Sequence, residues 1–472
     1  MVGITKYGMY VPYNRLAREQ IAKAYNKNVM PGEKAVANYD EDSFTMALSA
    51  AQNCVGGRVK CPLDAVFFAS TTAPNVEKQT ASQIASALDV EGGLRAADFA
   101  GSLRAGANAL LAAVDAAKNG ATTLVAIADS RLGAANGKNE ELFGDGAVAF
   151  EFSDKDVIAE YVDSYSVSFD FYDTWRTAED EYPRMFEEKY AVEMGYTPFI
   201  MQAIKGLLEK AGIQPCQIAK VVMDGSSLRY SAAVLTKAGF GPEQAQKEMI
   251  SEFGYSGAAY APTLLACALQ QSKPGDLILY VSYGEGSDAV LLKAHLGCEQ
   301  IGAGKGLEFY RNTKSTAINY EMYLKWKKMM DFEPPRRAAT PRSCLPDFYR
   351  KRKKNLALHG SRCTVCGTPH YPPSRICINC HAIDQMEPYQ FQGKKAFLAT
   401  FTFDYIAFSE DSPNAVAVVD FENGGRIFTQ IMDYDADKLE IGMPLEMVYR
   451  KLFTADGIIT YSWKCVPLRS LK

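Results

Sequence analysis

ATTLVAIADS (121–130) is a short apolar run closed by a polar pair, the pattern of a strand buried on both faces. GDLILYVSYG (275–284) repeats that pattern. LDAVFFAS (63–70) has its counterpart in IAKVVMDGSS (218–227), and GDGAVAFEF (144–152) in GSDAVLLKA (286–294). One such match between buried strands could be chance. Three in the same order predict a duplicated α/β unit, with halves at 1–155 and 156–298. Ala-rich amphipathic segments at 82–88 and 105–118 alternate with the strands, which favours βαβ units in layered sheets.

Beyond residue 298 the composition shifts. Basic residues cluster at Lys325, Lys327, Lys328, Arg336, Arg337 and 350–354, and EPPRRAATPRS (333–343) breaks any helix there. Residues 299–358 therefore read as a basic linker leading to a helix at 347–358. Runs at 396–403, 415–421, 426–432, 444–449 and 457–465, separated by turn signals such as ENGG and EIGMP, predict an OB-type β-barrel over 391–472.

Between linker and barrel, Cys363, Cys366, Cys377 and Cys380 form two CxxC knuckles with ten residues between them. Two knuckles at this spacing converge on one tetrahedral four-thiolate site, so 359–390 reads as a zinc ribbon. Four thiolates leave no vacant position, which indicates structural Zn(2+) rather than a catalytic ion. A redox CxxC does not explain two paired copies.

With 472 residues, 47% of them hydrophobic, the chain can bury several cores. A net charge of -4 gives no general pull toward nucleic acid or membrane. No apolar run reaches the ~20 residues of a membrane helix, and MVGITKYGMYVPYNRL lacks the layout of a secretory signal. A cytoplasmic protein with reduced, scattered cysteines is the expectation.

RCTVCGTPHYPPSRICINC (362–380), GGRIFTQIMD (424–433) and EIGMPLEM (440–447) resemble acyl-CoA-associated modules with a leading helix, a rubredoxin-like zinc ribbon and an OB-fold. Such modules accompany thiolase-fold enzymes as partners or fused tails; nucleic-acid binding, the other use of an OB barrel, does not fit the acidic chain and the enzyme body beside it. The first 298 residues resemble the 3-hydroxy-3-methylglutaryl-CoA synthase branch of the thiolase superfamily. The resemblance is carried by RAADFAGSLRAGANAL (95–110), FGDGAVAF (143–150), DTWRTAEDEYPR (173–184), FGYSGAAYAPTLLACAL (253–269) and KPGDLILYVSYGEGSD (273–288). It implies a duplicated thiolase-like fold, a coenzyme A thioester as substrate and a homodimer.

The resemblance also implies a catalytic cysteine, glutamate, histidine and asparagine, and none is present. The cysteine position is Leu103, with Ser102 beside it; the glutamate position is Thr71; the histidine and asparagine positions are Asp224 and Tyr255. Residues 1–294 contain no histidine, so no Cys–His nucleophile pair can be built there. Cys54 and Cys267 fall in helix-like stretches, Cys61 and Cys216 near Pro turns, and Cys298 after the last strand.

Aldol or retro-aldol cleavage of a β-hydroxyacyl-CoA needs no acyl-enzyme. Asp224 is the expected base and Tyr255 the hydroxyl that orients or exchanges the proton. Thiolase-fold aldolases of steroid side chains, which pair with a similar zinc-ribbon/OB partner, resemble this architecture. Alternatives are a synthase-like Claisen acyltransferase with atypical residues, and a non-catalytic acyl-CoA scaffold in which Asp224 is a turn aspartate and Tyr255 a core aromatic. By the same resemblance, Arg229 keeps the charge of a lysine that meets CoA phosphate. Lys78 and the 350–354 run are weaker candidates.

Overall fold

The computed structural model describes residues 1–56, 62–90, 92–225, 227–333, 344–406 and 409–470. The segment 334–343, with Arg336 and Arg337, and Cys61 lie outside the described residues.

Nine strands build one sheet: β1 (Gly3–Tyr10), β2 (Ala65–Ala69), β3 (Arg95–Phe99), β4 (Thr123–Asp129), β5 (Gly146–Ser153), β6 (Ala159–Ser168), β7 (Lys220–Met223), β8 (Leu277–Tyr283) and β9 (Gly286–Ala294). Their order is β7-β8-β9-β6-β1-β5-β4-β2-β3. Read outward from the β1–β6 seam, each half repeats one scheme. β1, β5, β4, β2 on one side match β6, β9, β8, β7 on the other, with the innermost pairs antiparallel and the outermost parallel. Three of these matched pairs, β5/β9, β4/β8 and β2/β7, are the ones that echo one another in sequence. β3 has only a vestige of a counterpart, a parallel bridge from Ala245 to Val221. β2 and β4 are buried along their whole length, which explains their uninterrupted apolar runs.

Five helices matter for the site and its support: α1 (Ser43–Val55), α2 (Ala105–Lys118), α3 (Thr197–Ala211), α4 (Leu228–Lys237) and α5 (Tyr260–Gln271). The Asp42 side chain accepts the Thr45 N–H at 2.9 Å while the Thr45 hydroxyl accepts the Asp42 N–H, a reciprocal cap that starts α1. At the start of α2, a Cβ on Gly106 would lie 2.6 Å from the Ala258 carbonyl oxygen. Glycine there lets α2 meet the turn that leads into α5.

The stretch read as a linker is partly folded. Helices at Leu307–Asn312 and Tyr320–Trp326 bury Leu307, Tyr310, Tyr323 and Leu324 against the body. Their apolar residues were masked in the sequence by the surrounding lysines. The expected helix at 347–358 is two short ones, Leu345–Arg350 and Arg352–Ala357. The basic run there is drawn into ion pairs: Lys351 with Asp347 of the same segment at 3.0 Å and Lys353 with Asp89 of the body at 2.6 Å.

Strands β10 (His359–Cys363), β11 (Pro369–His370) and β12 (Met386–Gln390) form a small sheet. The barrel strands are β13 (Ala396–Asp404), β14 (Asn414–Phe421), β15 (Arg426–Gln430), β16 (Pro444–Ala455) and β17 (Ile458–Pro467), ordered β15-β14-β13-β16-β17. A bridge between Ile431 and Cys465 closes the ring. Among the described residues no helix is long and apolar enough to cross a membrane.

The barrel docks on α1 through the β16–β17 hairpin. Phe44 meets the Tyr449 and Tyr461 rings edge-on at 6.1 and 4.9 Å, and the Tyr461 hydroxyl donates to Asp42 at 2.8 Å. Behind them the buried Arg450 guanidinium pairs with Glu41 at 2.9 Å, Asp433 at 2.8 Å and Asp40 at 3.3 Å, while Lys464 holds Asp40 at 2.9 Å. Removing one partner from a buried ionic cluster leaves the others uncompensated. Arg450→Met should therefore cost about 3–5 kcal/mol, seen as a lower denaturant midpoint. An unchanged midpoint would show that docking does not depend on these charges.

Candidate functional site

The site forms where strands end. Thr71 follows β2, Asp129 ends β4 and Arg131 follows it, Asp224 follows β7, and Tyr283 ends β8. Ligands of open α/β sheets sit outside such carboxyl ends. Leu103 lies just before α2, and Tyr255 in the loop before α5, where its N–H donates to the Leu142 carbonyl at 2.8 Å.

Two cavities meet here. The larger, of about 530 Å³, is mostly apolar and is lined by Leu103, Phe143, Met185, Asp224, Arg229 and Tyr255 among others. The smaller, of about 280 Å³, is lined by Ser70, Thr71, Ser102, Leu103, Arg176 and Glu285 among others. Leu103, Arg131, Asp173, Thr174 and Tyr283 line both. Leu103 thus stands at the junction, and its isobutyl group offers nothing to attack a thioester. Among the described residues no cysteine and no histidine lines either cavity. Cys54, Cys267 and Cys298 are buried and Cys216 is exposed, each away from these cavities. His295 pairs with Glu160 at 3.1 Å.

Asp224 and Tyr255, assigned separately from the sequence, touch: the Tyr255 hydroxyl donates to the Asp224 carboxylate at 3.1 Å. The Tyr196 hydroxyl donates to the Asp224 carbonyl at 2.7 Å. Burial pushes the Asp224 carboxyl up to about 7, against opposing hydrogen bonds from Tyr255 and the Tyr283 and Gly225 backbone and the charge of Arg131. Burial also pushes the Tyr255 phenol well above its usual value, so it acts as a neutral donor. The Arg131 guanidinium lies 4.7 Å from the Phe143 ring centroid.

Arg229 is exposed and lines the larger cavity. Lys78 is exposed and is not among the residues lining either cavity. The Thr71 hydroxyl donates to Asp129 at 2.9 Å. Sequence reading missed Asp129, Arg131 and Tyr196. The polar triplet Asp129-Ser130-Arg131 directly after a buried strand was the available signal for the first two.

The four ribbon cysteines bring their sulfurs within 4.8 Å of one another, with Cys363–Cys380 at 3.6 Å and Cys366–Cys377 at 3.4 Å. Sulfurs bound tetrahedrally at ~2.3 Å would be spaced about this far apart, so the donor set fits a single ion.

Residues 208–293 match the family described as 3-oxoacyl-[acyl-carrier-protein] synthase III, C-terminal, and residues 389–450 match the ChsH2 C-terminal OB-fold domain. The hydroxymethylglutaryl-CoA synthase of Pyrococcus horikoshii is 31% identical over 343 residues, covering 70% of this chain and 94% of that protein. The chain belongs to the hydroxymethylglutaryl-CoA synthase family. The Methanocaldococcus jannaschii member is 30% identical, over 70% of this chain and 99% of its own length. A crystal structure of an HMG-CoA synthase complexed with CoA has the same fold, with a TM-score of 0.63 at 17% identity, covering 69% of this chain and 89% of that one. The synthase-family body here carries in addition the OB-fold module that the second family match identifies.

A carboxyl whose pKa is raised by folding is protonated in the native state over a range where the unfolded chain has lost the proton. Asp224 therefore makes stability fall as pH rises from about 4 to about 7. Asp224→Asn should gain stability relative to the parent between pH 5 and pH 8 by denaturant titration. A constant difference would show that the carboxyl titrates normally.

Proposed function

We propose that the chain makes or breaks the carbon–carbon bond next to an acyl-CoA thioester by aldol chemistry, without an acyl-enzyme. The observation that carries this is Leu103 at the junction of the two cavities, with the Asp224–Tyr255 pair lining the larger one. In the cleavage direction the β-hydroxyl gives its proton to Asp224, with Tyr255 orienting it. The Cα–Cβ pair passes into the thioester enolate, and the β-carbon leaves as a carbonyl. Arg131 faces both cavities and supplies positive charge for the enolate oxygen. The addition direction is the reverse. The mostly apolar lining of the larger cavity favours an apolar acyl or carbonyl partner, and Arg229 is the residue offered to CoA phosphate.

Family membership favours a second reading, a synthase-like acyltransferase with atypical residues, since the named relatives are synthases. The two separate on one experiment. β-Hydroxyacyl-CoAs, including tertiary alcohols, are incubated with the protein and shortened acyl-CoA is sought by mass spectrometry, with the reverse addition run in parallel. Turnover should survive iodoacetamide under conditions that spare the ribbon, and Asp224→Asn should lower it by ~10²-fold or more. Tyr255→Phe should lower the rate with little change in CoA affinity. Inactivation by alkylation of one body cysteine would restore the acyl-enzyme reading. CoA binding with no turnover of any thioester would leave a scaffold.

The ribbon cysteines are proposed to hold one structural Zn(2+), which would tie the two knuckles together and supply folding energy. Elemental analysis should give about one zinc per chain. Cys363→Ser should release it and destabilise the module; metal-free protein as stable as the metal-loaded form would reject the assignment.

A further inference from the structure

Aldol exchange moves two protons at two different atoms, the β-oxygen and the α-carbon. Asp224 and Tyr255 serve the first from the larger cavity. A thioester seated over Leu103 is faced on its other side by the smaller cavity, and one carboxylate there occupies an unusual position. Glu285 sits in the tight turn between β8 and β9, flanked by Gly284 and Gly286, and adopts φ +44°. A non-glycine residue in the left-handed region is held there by its surroundings. The turn is pressed against the start of α2, since a Cβ on Gly284 would lie 2.8 Å from the Ser102 hydroxyl and 3.1 Å from the Arg104 nitrogen. The Ser102 hydroxyl donates to the Glu285 carboxylate and accepts the Arg104 N–H at 3.2 Å. Ser102 and Glu285 thus line the smaller cavity beside Leu103 as a hydrogen-bonded pair.

Two other groups of that cavity already have partners. The Thr71 hydroxyl is donated to Asp129, and the Asp173 carboxylate accepts the Tyr283 hydroxyl at 2.7 Å.

We propose that Glu285, held by Ser102, is a second catalytic residue that exchanges the α-carbon proton of the acyl-CoA from the smaller cavity. The inference rests on the aldol reading. In the addition direction Glu285 takes a proton from Cα, and the C–H electron pair passes into the thioester enolate beside Arg131. The enolate carbon attacks the carbonyl carbon, and the resulting alkoxide takes its proton from the Asp224 carboxyl with Tyr255 orienting it. In cleavage Asp224 accepts the hydroxyl proton, the Cα–Cβ bond breaks, and the Glu285 carboxyl returns a proton to Cα. The two carboxyls re-equilibrate with solvent, so no co-reactant is consumed.

The test follows deuterium entry at the α-carbon of acetyl-CoA and propionyl-CoA in D2O by mass spectrometry, alongside turnover in the carbon–carbon reaction. The parent should exchange. Glu285→Gln should lose exchange by ~10²-fold or more, whereas Asp224→Asn should keep it while losing turnover. Glu285→Gly relieves the strained φ and should fold at least as stably as the parent while also losing exchange, which separates chemistry from turn geometry. Exchange retained in both Glu285 variants, or lost in Asp173→Asn with Glu285 intact, would overturn the assignment and leave the aldol reading standing. A parent that neither exchanges nor turns over would overturn both.

Discussion

The carboxylate of Asp129, fully buried at the end of β4, receives hydrogen bonds from the Ser70 hydroxyl, the Thr71 N–H and hydroxyl, the Thr72 hydroxyl and the Ala258 N–H, at 2.7–3.0 Å. The first four donors come from the loop after β2; the last comes from the turn that starts α5 in the other half of the duplication. A carboxylate offers about four lone-pair sites, so Asp129 has no acceptor capacity left for substrate. Its role is to fix both halves of the sheet around one opening. Without it the start of α5, and with it Tyr255, would lose its register against Leu103.

Asp224 is the contrasting case. It is as deeply buried, but its stabilising contacts are fewer: one phenol, backbone N–H groups and a cation. Desolvation outweighs them and pushes the carboxyl up to about 7. The two aspartates, both at strand ends, thus differ because one has all its lone pairs occupied and the other does not. This difference, rather than proximity to the cavity, separates a fastening carboxylate from one able to trade protons.

The duplicated halves were legible because strands buried on both faces leave uninterrupted apolar runs, and three pairs of such runs recur in order. The four ribbon cysteines were legible because ligand spacing is local. Leu103, Asp224 and Tyr255 were placed by resemblance, and only the fold brings them to one cavity wall from three distant elements. Asp129, Arg131 and Glu285 escaped because each owes its meaning to a neighbour more than a hundred residues away: Ala258, Tyr255 and Ser102 respectively. The helices at Leu307–Asn312 and Tyr320–Trp326 were read as linker because their few core residues are scattered among charges.

The C-terminal module touches the body outside both cavities. Among the described residues none beyond Glu285 lines either cavity. What the module grips is the segment Asp40–Asp42 and the first turn of α1, through Arg450, Lys464 and Tyr461. α1 in turn packs across β1, at the seam between the halves, and its neighbour β5. A buried cluster of three carboxylates and two cations gains little stability over an apolar contact of the same shape, but it tolerates very few alternative alignments. The barrel is therefore seated in one orientation on the helix layer that backs the sheet. Its contact with the body lies on that layer, and the four ribbon cysteines line neither cavity.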